Sequence, residues 1–447
     1  MTVKGRLIII GSGIAGISAA RAARRTYPHI DITLISEDRD GFYNRIAVGA
    51  LAVEKRREVE LFTLAPNCFE NDRVSTRFGE SVSKLDVARK TVHLTHGATL
   101  PYDRLILATG ASPSVPSIPG INHRAVHYLW NLDDARRLAA QLKTAQNVAV
   151  IGGGILGVEA ALDMAAMGKK VHLIEAADGL LKRHLPASIS STLKDALAQS
   201  GISVYTRALV NDVHAQGDSL SIRTTSVTIT CTAVLVSAGV RSNTELANAA
   251  GIQIDNGIVV NNRMRTNVPD VLACGNCIQQ PQGGALLWNP AKAQGETAGE
   301  NAFEDRQTFR RQPYPIHLKS TRISLFAMGA PETVPRDAIC IQEKTASGEK
   351  RIFVRADGTI CYAVFWGDVT GYYAVEKLFR NNVVIDSSII REGRVSRITR
   401  DVLRQPDDAG YLTPGWVCSV CGYIHEGDTA PGVCPVCNVG RDQFLAA

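Results

Sequence analysis

One device occurs twice in this chain of 447 residues, and it constrains the fold more than any other feature. In the first copy the apolar run Leu7-Ile8-Ile9-Ile10 meets Gly11-Ser12-Gly13-Ile14-Ala15-Gly16, followed by a helical pattern from Ile17 to Thr26. Pro28 stops the helix, Asp31 to Ile35 reads as a second strand, and Glu37 stands at its end. Gly11 permits a tight turn, Gly13 lets the backbone approach a pyrophosphate, and Gly16 allows close helix–strand packing. The helix N-terminus holds the anion, and Glu37 can accept from a ribose hydroxyl. From Asn147 to Glu175 the pattern returns: the strand Val148-Ala149-Val150-Ile151, the turn Gly152-Gly153-Gly154-Ile155-Leu156-Gly157, a helix from Glu159 to Met167, and the strand Val171 to Ile174. A single glycine-rich turn is a weak signal. Two, each with strand, helix and distal acid, imply two dinucleotides and hydride transfer between them. Glu175 would bond a 2′-hydroxyl and repel a 2′-phosphate, favouring NADH over NADPH, with Lys182 and Arg183 as opposing cations nearby.

The length suggests about three domains. A composition 45% hydrophobic and 21% charged is that of an ordinary globular protein. The net charge of +6 is diffuse and has no aromatic-interleaved basic patch, which argues against nucleic acid. The most apolar stretch, Val148 to Met167, is broken by Glu159 and Asp163, so no membrane span is expected. A strand beginning by residue 6 leaves no room for a cleavable leader, and the expectation is a cytoplasmic protein.

Four of the ten cysteines, Cys418, Cys421, Cys434 and Cys437, crowd the end of the chain as C-x2-C-x12-C-x2-C. In a reducing compartment this points to metal rather than disulfides. Two such knuckles close a tetrahedral tetrathiolate site, which suits zinc or a single iron. Gly41 to Arg45 follows the first unit; Arg45 faces either a cofactor or solvent. No cysteine lies between Met1 and Cys68, which argues against a thiol-based half-reaction there. Leu105 to Gly110 is a buried strand ending in Thr109-Gly110, and Val234 to Gly239 echoes it. Cys274-Gly275-Asn276-Cys277 is either a redox dithiol or two small buried residues in a turn; the second reading is preferred.

With these motifs and Thr266-Asn267-Val268-Pro269-Asp270, the chain resembles the pyridine-nucleotide-dependent FAD oxidoreductases over residues 6 to about 300. The branch is that of rubredoxin reductases and the flavin part of NADH-dependent nitrite reductases. A weaker match continues through Lys319 to Phe326 and Ala363 to Asp368. The resemblance implies FAD in the first unit and NADH in the second. It assigns Gly11, Gly13, Ala15, Gly16, Glu37, Arg45, Val82, Thr109, Gly110, Gly275 and Asn276 to the FAD side, and Gly152, Gly154, Gly157, Glu159, Glu175 and Gly239 to the nucleotide-facing positions of the second half. Asn276 stands where the family has an acid on the ribityl chain. Glu159 resembles the family's glutamate near the nicotinamide, a buried structural carboxylate being the alternative. A helix from Trp288 to Asn301 would aim its N-terminus at the flavin. The tail, with Trp416, Tyr423 and Phe444, resembles the short-loop rubredoxin that ends rubrerythrins, and this favours iron over a structural zinc ribbon. Asn438 replaces the usual glycine after the last cysteine.

The expected fold is α/β: two Rossmann-type dinucleotide-binding domains, an α+β C-terminal domain and a small rubredoxin-like metal-knuckle module. The expected boundaries are 1–112 and 243–312 for the FAD domain, 113–242 for the NADH domain, 313–395 for an interface domain, 396–413 for a linker and 414–447 for the module. Expected cofactors are FAD, NADH and one iron. The reaction expected is electron transfer from NADH through FAD to the chain's own iron centre, and on to a redox protein or small acceptor, in a monomer or homodimer. Residues 414–447 carry a net charge of −2 against +8 for the rest, which favours their encounter. The rival readings are an NADH oxidase or peroxide-consuming enzyme with structural zinc, and a non-catalytic NADH sensor.

Overall fold

The computed structural model describes residues 3–64, 68–279, 288–310, 313–319, 323–346, 348–402, 415–418, 424–426, 429–434, 440–441 and 444–446. Two parallel sheets form its centre. The first orders its strands Val271–Ala273, Arg104–Leu107, Arg6–Ile10, Asp31–Ser36 and Val74–Phe78. The second orders Ile202–Tyr205, Lys170–Ile174, Asn147–Ile151, Ala233–Val236 and Val126–His127. Both central strands are sealed on each face: Leu7 to Ile10 and Val148 to Ile151 are all buried. This is why they read as unbroken apolar runs rather than as alternation. A short antiparallel pair, Ala111–Pro113 with Val240–Ser242, joins the two halves.

Helix Ile14–Thr26 lies directly on helix Trp288–Glu300. A Cβ at Gly295 would stand 2.2 Å from the Ala15 carbonyl oxygen, and one at Gly299 would stand 2.2 Å from that of Ala19. Because position 295 meets 15 and 299 meets 19, the helices run parallel and present their N-termini at the same end.

A five-stranded antiparallel sheet follows, in the order Ile316–Lys319, Ser324–Met328, Ile360–Trp366, Gly348–Val354, Ile339–Thr345. Leu318, Leu325 and Val364 on one side join a core with Leu132, Leu138 and Val150 of the second half. Phe326, Ile352 and Phe365 on the other pack under helix Tyr372–Arg380. Residues 43–61 leave the first half to enter the second core, where Tyr43, Ala47, Val48, Ala52 and Leu61 are buried.

The segment expected to be linker from residue 396 begins instead as a helix, Val395–Val402, preceded by a shorter one, Ser387–Glu392. Among its described side chains Val395 and Ile398, three residues apart, are fully buried. Three apolar residues, Val395, Ile398 and Val402, interrupted by arginines and polar residues make a short periodic signal. In the terminal module Gly415–Cys418 pairs antiparallel with Ile424–Glu426 and with Phe444–Ala446. Among the described residues no helix is long and apolar enough to cross a membrane.

Candidate nucleotide and metal sites

The first glycine turn is shaped by backbone contact. Gly11 has φ +112°, and a Cβ there would lie 2.1 Å from the Ala108 carbonyl oxygen; one at Gly16 would lie 1.9 Å from that of Gly11. A Cβ at Gly13 would meet nothing within 4 Å, and no side chain caps this helix start. That leaves open space in front of unpaired N–H groups, which fits a pyrophosphate. Ser12 holds the turn from its middle: its Oγ donates to Ser36 Oγ at 2.8 Å and lies 3.2 Å from the Gly41 carbonyl. Glu37 is exposed at the end of the second strand.

The second turn repeats these contacts. Gly152 has φ +114°, with a Cβ there 2.2 Å from the Ser237 carbonyl oxygen; a Cβ at Gly157 would stand 1.9 Å from Gly152, and one at Gly154 would meet nothing. Its tether differs. Glu175 accepts from Gly153 N at 2.6 Å and from Ala177 N at 2.7 Å, so the acid at the strand end grips its own glycine loop. Lys182 is turned to Asp178 at 2.8 Å.

Thr109, Gly110 and Gly239 meet at the join between the halves. Thr109 Oγ1 donates to the Asn243 carbonyl at 2.9 Å, while Asn243 Nδ2 returns a bond to the Thr109 carbonyl at 2.9 Å. Ser112 Oγ donates to Asn243 Oδ1 at 2.8 Å. Gly110 and Gly239 have φ of +69° and +97° with free space around them. Asn243 was not visible as a site residue, since nothing around it repeats. Gly275 N donates to Gln294 Oε1 at 3.0 Å, and a Cβ on Gly275 would come within 2.6 Å of the Ala15 side chain. Ala15 thus packs against the turn that carries Asn276. Asn276 is half-buried, and its carbonyl accepts from Ser242 Oγ. Trp288, at the start of its helix, has its ring 6.0 Å from that of Phe42. Val82 is half-buried against the first core.

Arg45 donates to Asp38 Oδ2 at 2.8 Å and lies over the Tyr43 ring. Glu159 is half-buried on helix Ile155–Ala166; one turn on, Asp163 pairs with Lys55 at 2.5 Å. Cys274 and Cys277 are fully buried, and burial raises both thiol pKa values, so neither is poised as a thiolate. In the terminal module Cys418 and Cys434 are each 1% exposed. Cys421 and Cys437 lie outside the described residues, which hold no other cluster of three or more metal-ligating side chains.

Two parallel sheets, each carrying a phosphate-type glycine turn, define a protein that binds two dinucleotides. Residues 5–295 match the pyridine nucleotide-disulphide oxidoreductase model, and residues 416–445 match the rubredoxin-like domain of rubrerythrin. The chain belongs to the pyridine nucleotide-disulphide oxidoreductase family, as an NADH-dependent FAD oxidoreductase with a rubredoxin-like C-terminal domain. It is 32% identical to the nitric oxide reductase FlRd-NAD(+) reductase of Vibrio vulnificus over 275 residues, 61% of this chain and 72% of that one. It is 30% identical to the nitrite reductase [NAD(P)H] large subunit of Klebsiella oxytoca over 96% of its own length but only 45% of that subunit's. The fold of NADH:rubredoxin oxidoreductase from Clostridium acetobutylicum superimposes with a TM-score of 0.72 at 24% identity, covering 89% of this chain and 100% of that one.

Proposed function

We propose that the chain carries electrons from NADH through FAD to an iron centre in its own terminal module, and from there to a redox protein or small acceptor. The observation that carries this reading is the fusion itself: a rubredoxin-like module with Cys418 and Cys434 buried follows a flavin reductase body on one chain. Flavin takes a hydride and gives up single electrons, a conversion that belongs to the cofactor. The protein's part is to bind and orient. In this reading Gly13 and the N-terminus of helix Ile14–Thr26 receive the FAD pyrophosphate, and Glu37 its ribose. Gly154 and the helix after it receive NADH, with Glu175 facing the 2′-hydroxyl side. The open space at both glycines supports the fit.

Cys418, Cys421, Cys434 and Cys437 supply four thiolates, a donor set suited to iron or zinc, and only iron changes redox state beside a flavin. The test is an anaerobic NADH titration of the full chain, followed in the visible region together with iron and zinc analysis. Flavin and iron absorbance should both bleach, at one iron per chain. Protein from iron-replete cells that carries one zinc and no iron would overturn the proposal.

A further inference from the structure

Arg136 sits on helix Leu132–Thr144, which leads at Asn147 into the central strand and glycine turn of the second half. Its guanidinium uses every donor it has. Nε and Nη2 bond the two oxygens of Glu58 at 2.9 and 2.6 Å. Nη1 and Nη2 reach the two oxygens of Asp40 at 3.2 and 3.3 Å, and Nη1 also bonds Asp133 at 2.7 Å. Five N–H groups meet three carboxylates: Asp40 from the loop after the first unit, Glu58 from the segment that enters the second core, and Asp133 from the same helix. A saturated fork of this kind differs from an isolated surface pair, which holds little. The carboxylates push the guanidinium pKa above its ordinary value, and Arg136 in turn lowers that of Glu58. Arg56, Arg57 and Lys143 line the adjoining cleft and offset the excess negative charge.

One turn earlier on the same helix a second tether forms. Tyr43 Oη donates to Asp38 Oδ2 at 2.9 Å and accepts from Leu132 N at 3.1 Å, while Arg45 bonds the same Asp38 oxygen at 2.8 Å. The loop from Glu37 to Arg45 is therefore stapled at two points to the first turns of helix Leu132–Thr144. The halves also meet at the short strand pair Ala111–Pro113 and Val240–Ser242, through the buried side chains of segment 43–61 and through the Lys55–Asp163 ion pair.

We propose that Arg136 is a positioning residue for hydride transfer: it clamps the loop bearing Glu37 and Arg45 to the half of the molecule that carries the second glycine turn, and so sets how the two bound dinucleotides face each other. Arg136 touches neither nucleotide in this account. Hydride transfer requires the reacting atoms at about 3–3.5 Å, and a misplacement of about 1 Å costs up to about a hundredfold in rate. The inference rests on the NADH-to-flavin step alone and is independent of where the electrons go next.

The test is rapid anaerobic mixing of the full-length FAD-loaded protein with NADH. In Arg136→Met the limiting rate of flavin bleaching should fall about tenfold or more. The NADH concentration for half-saturation should stay within about twofold, and FAD content should remain one per chain. Arg136→Lys keeps the charge but not the fork and should fall between. Lys143→Met, on the same helix, should match wild type. Glu58→Gln disturbs two of the five bonds and should slow bleaching less than Arg136→Met; the double variant should be no slower than Arg136→Met alone. A wild-type limiting rate in Arg136→Met would overturn the proposal, even if its melting temperature falls. If Arg136→Met does not retain FAD, Asp40→Asn, which loosens the loop's own bonds to Arg136, decides: a wild-type limiting rate there overturns the proposal equally.

Discussion

Gly11 and Gly152 follow strands 141 positions apart, yet each bends at nearly the same φ and each brushes a carbonyl oxygen just over 2 Å from where a Cβ would be. Gly16 and Gly157 pack against them at the same 1.9 Å. The means of holding the turn is what separates the two regions. In the first, a hydroxyl does it, Ser12 to Ser36, and Glu37 stays exposed. In the second, a glycine occupies the equivalent middle position and Glu175 grips its N–H directly. One acid is therefore available to ligand alone, and the other also holds the loop. Similar turns thus put different demands on their acids.

The largest effect should come from the contact both turns share. Gly11→Ala and Gly152→Ala each force a side chain into backbone at positive φ, at about 3 kcal/mol or more. Gly11→Ala should lose FAD, read as flavin absorbance per protein. Gly152→Ala should keep FAD and lose bleaching by NADH. If both lose FAD, the halves are not independent in binding. Next comes the contrast between the acids. Glu175→Gln gives up two charge-assisted bonds to backbone and should destabilise by about 2 kcal/mol while raising KM for NADH. Glu37→Gln should shift stability by less than about 0.5 kcal/mol and weaken FAD retention only. Equal melting-temperature losses in the two would erase the distinction.

A smaller change is expected from Ser12→Ala, about 1 kcal/mol in denaturant unfolding, because one buried hydroxyl pair is broken. A loss as large as that of Glu175→Gln would make the tethers equivalent. The smallest belongs to Lys182→Ala. Its ammonium is spent on exposed Asp178, so preference between NADH and NADPH, as the ratio of kcat/KM values, should move less than about twofold. A larger move would place Lys182 in the nucleotide site.

Much of this arrangement is legible in residue order. The strand–turn–helix units appear within four residues of their expected bounds, because short-range geometry is carried by short-range pattern: apolar run, glycines at fixed offsets, helical period. Helix Val395–Val402 was hidden because its apolar residues are few and set amid arginines; among its described side chains Val395 and Ile398 are the buried ones. The role of residues 43–61 was hidden for another reason. Their apolar side chains serve a core built by the second half and the C-terminal sheet, and nothing in the segment says which core it will join.

The sequence by itself determined that two dinucleotide turns exist and where glycine is obligatory within them, since Gly16 meets Gly11 and Gly157 meets Gly152 inside a single turn of chain. It also carries two C-x2-C pairs at the end, whose spacing is legible because it is local. Only the tertiary structure decided that Glu175 holds its loop while Glu37 is free of that task, that Asn243 latches Thr109 from 134 positions away, and that Arg136 reaches carboxylates 78 and 96 positions earlier. The Asn243 and Arg136 contacts join residues with no shared period or motif. They exist because the folded chain brings loops and helices of the two halves together, and a polar group brought near burial takes whatever partner that packing supplies.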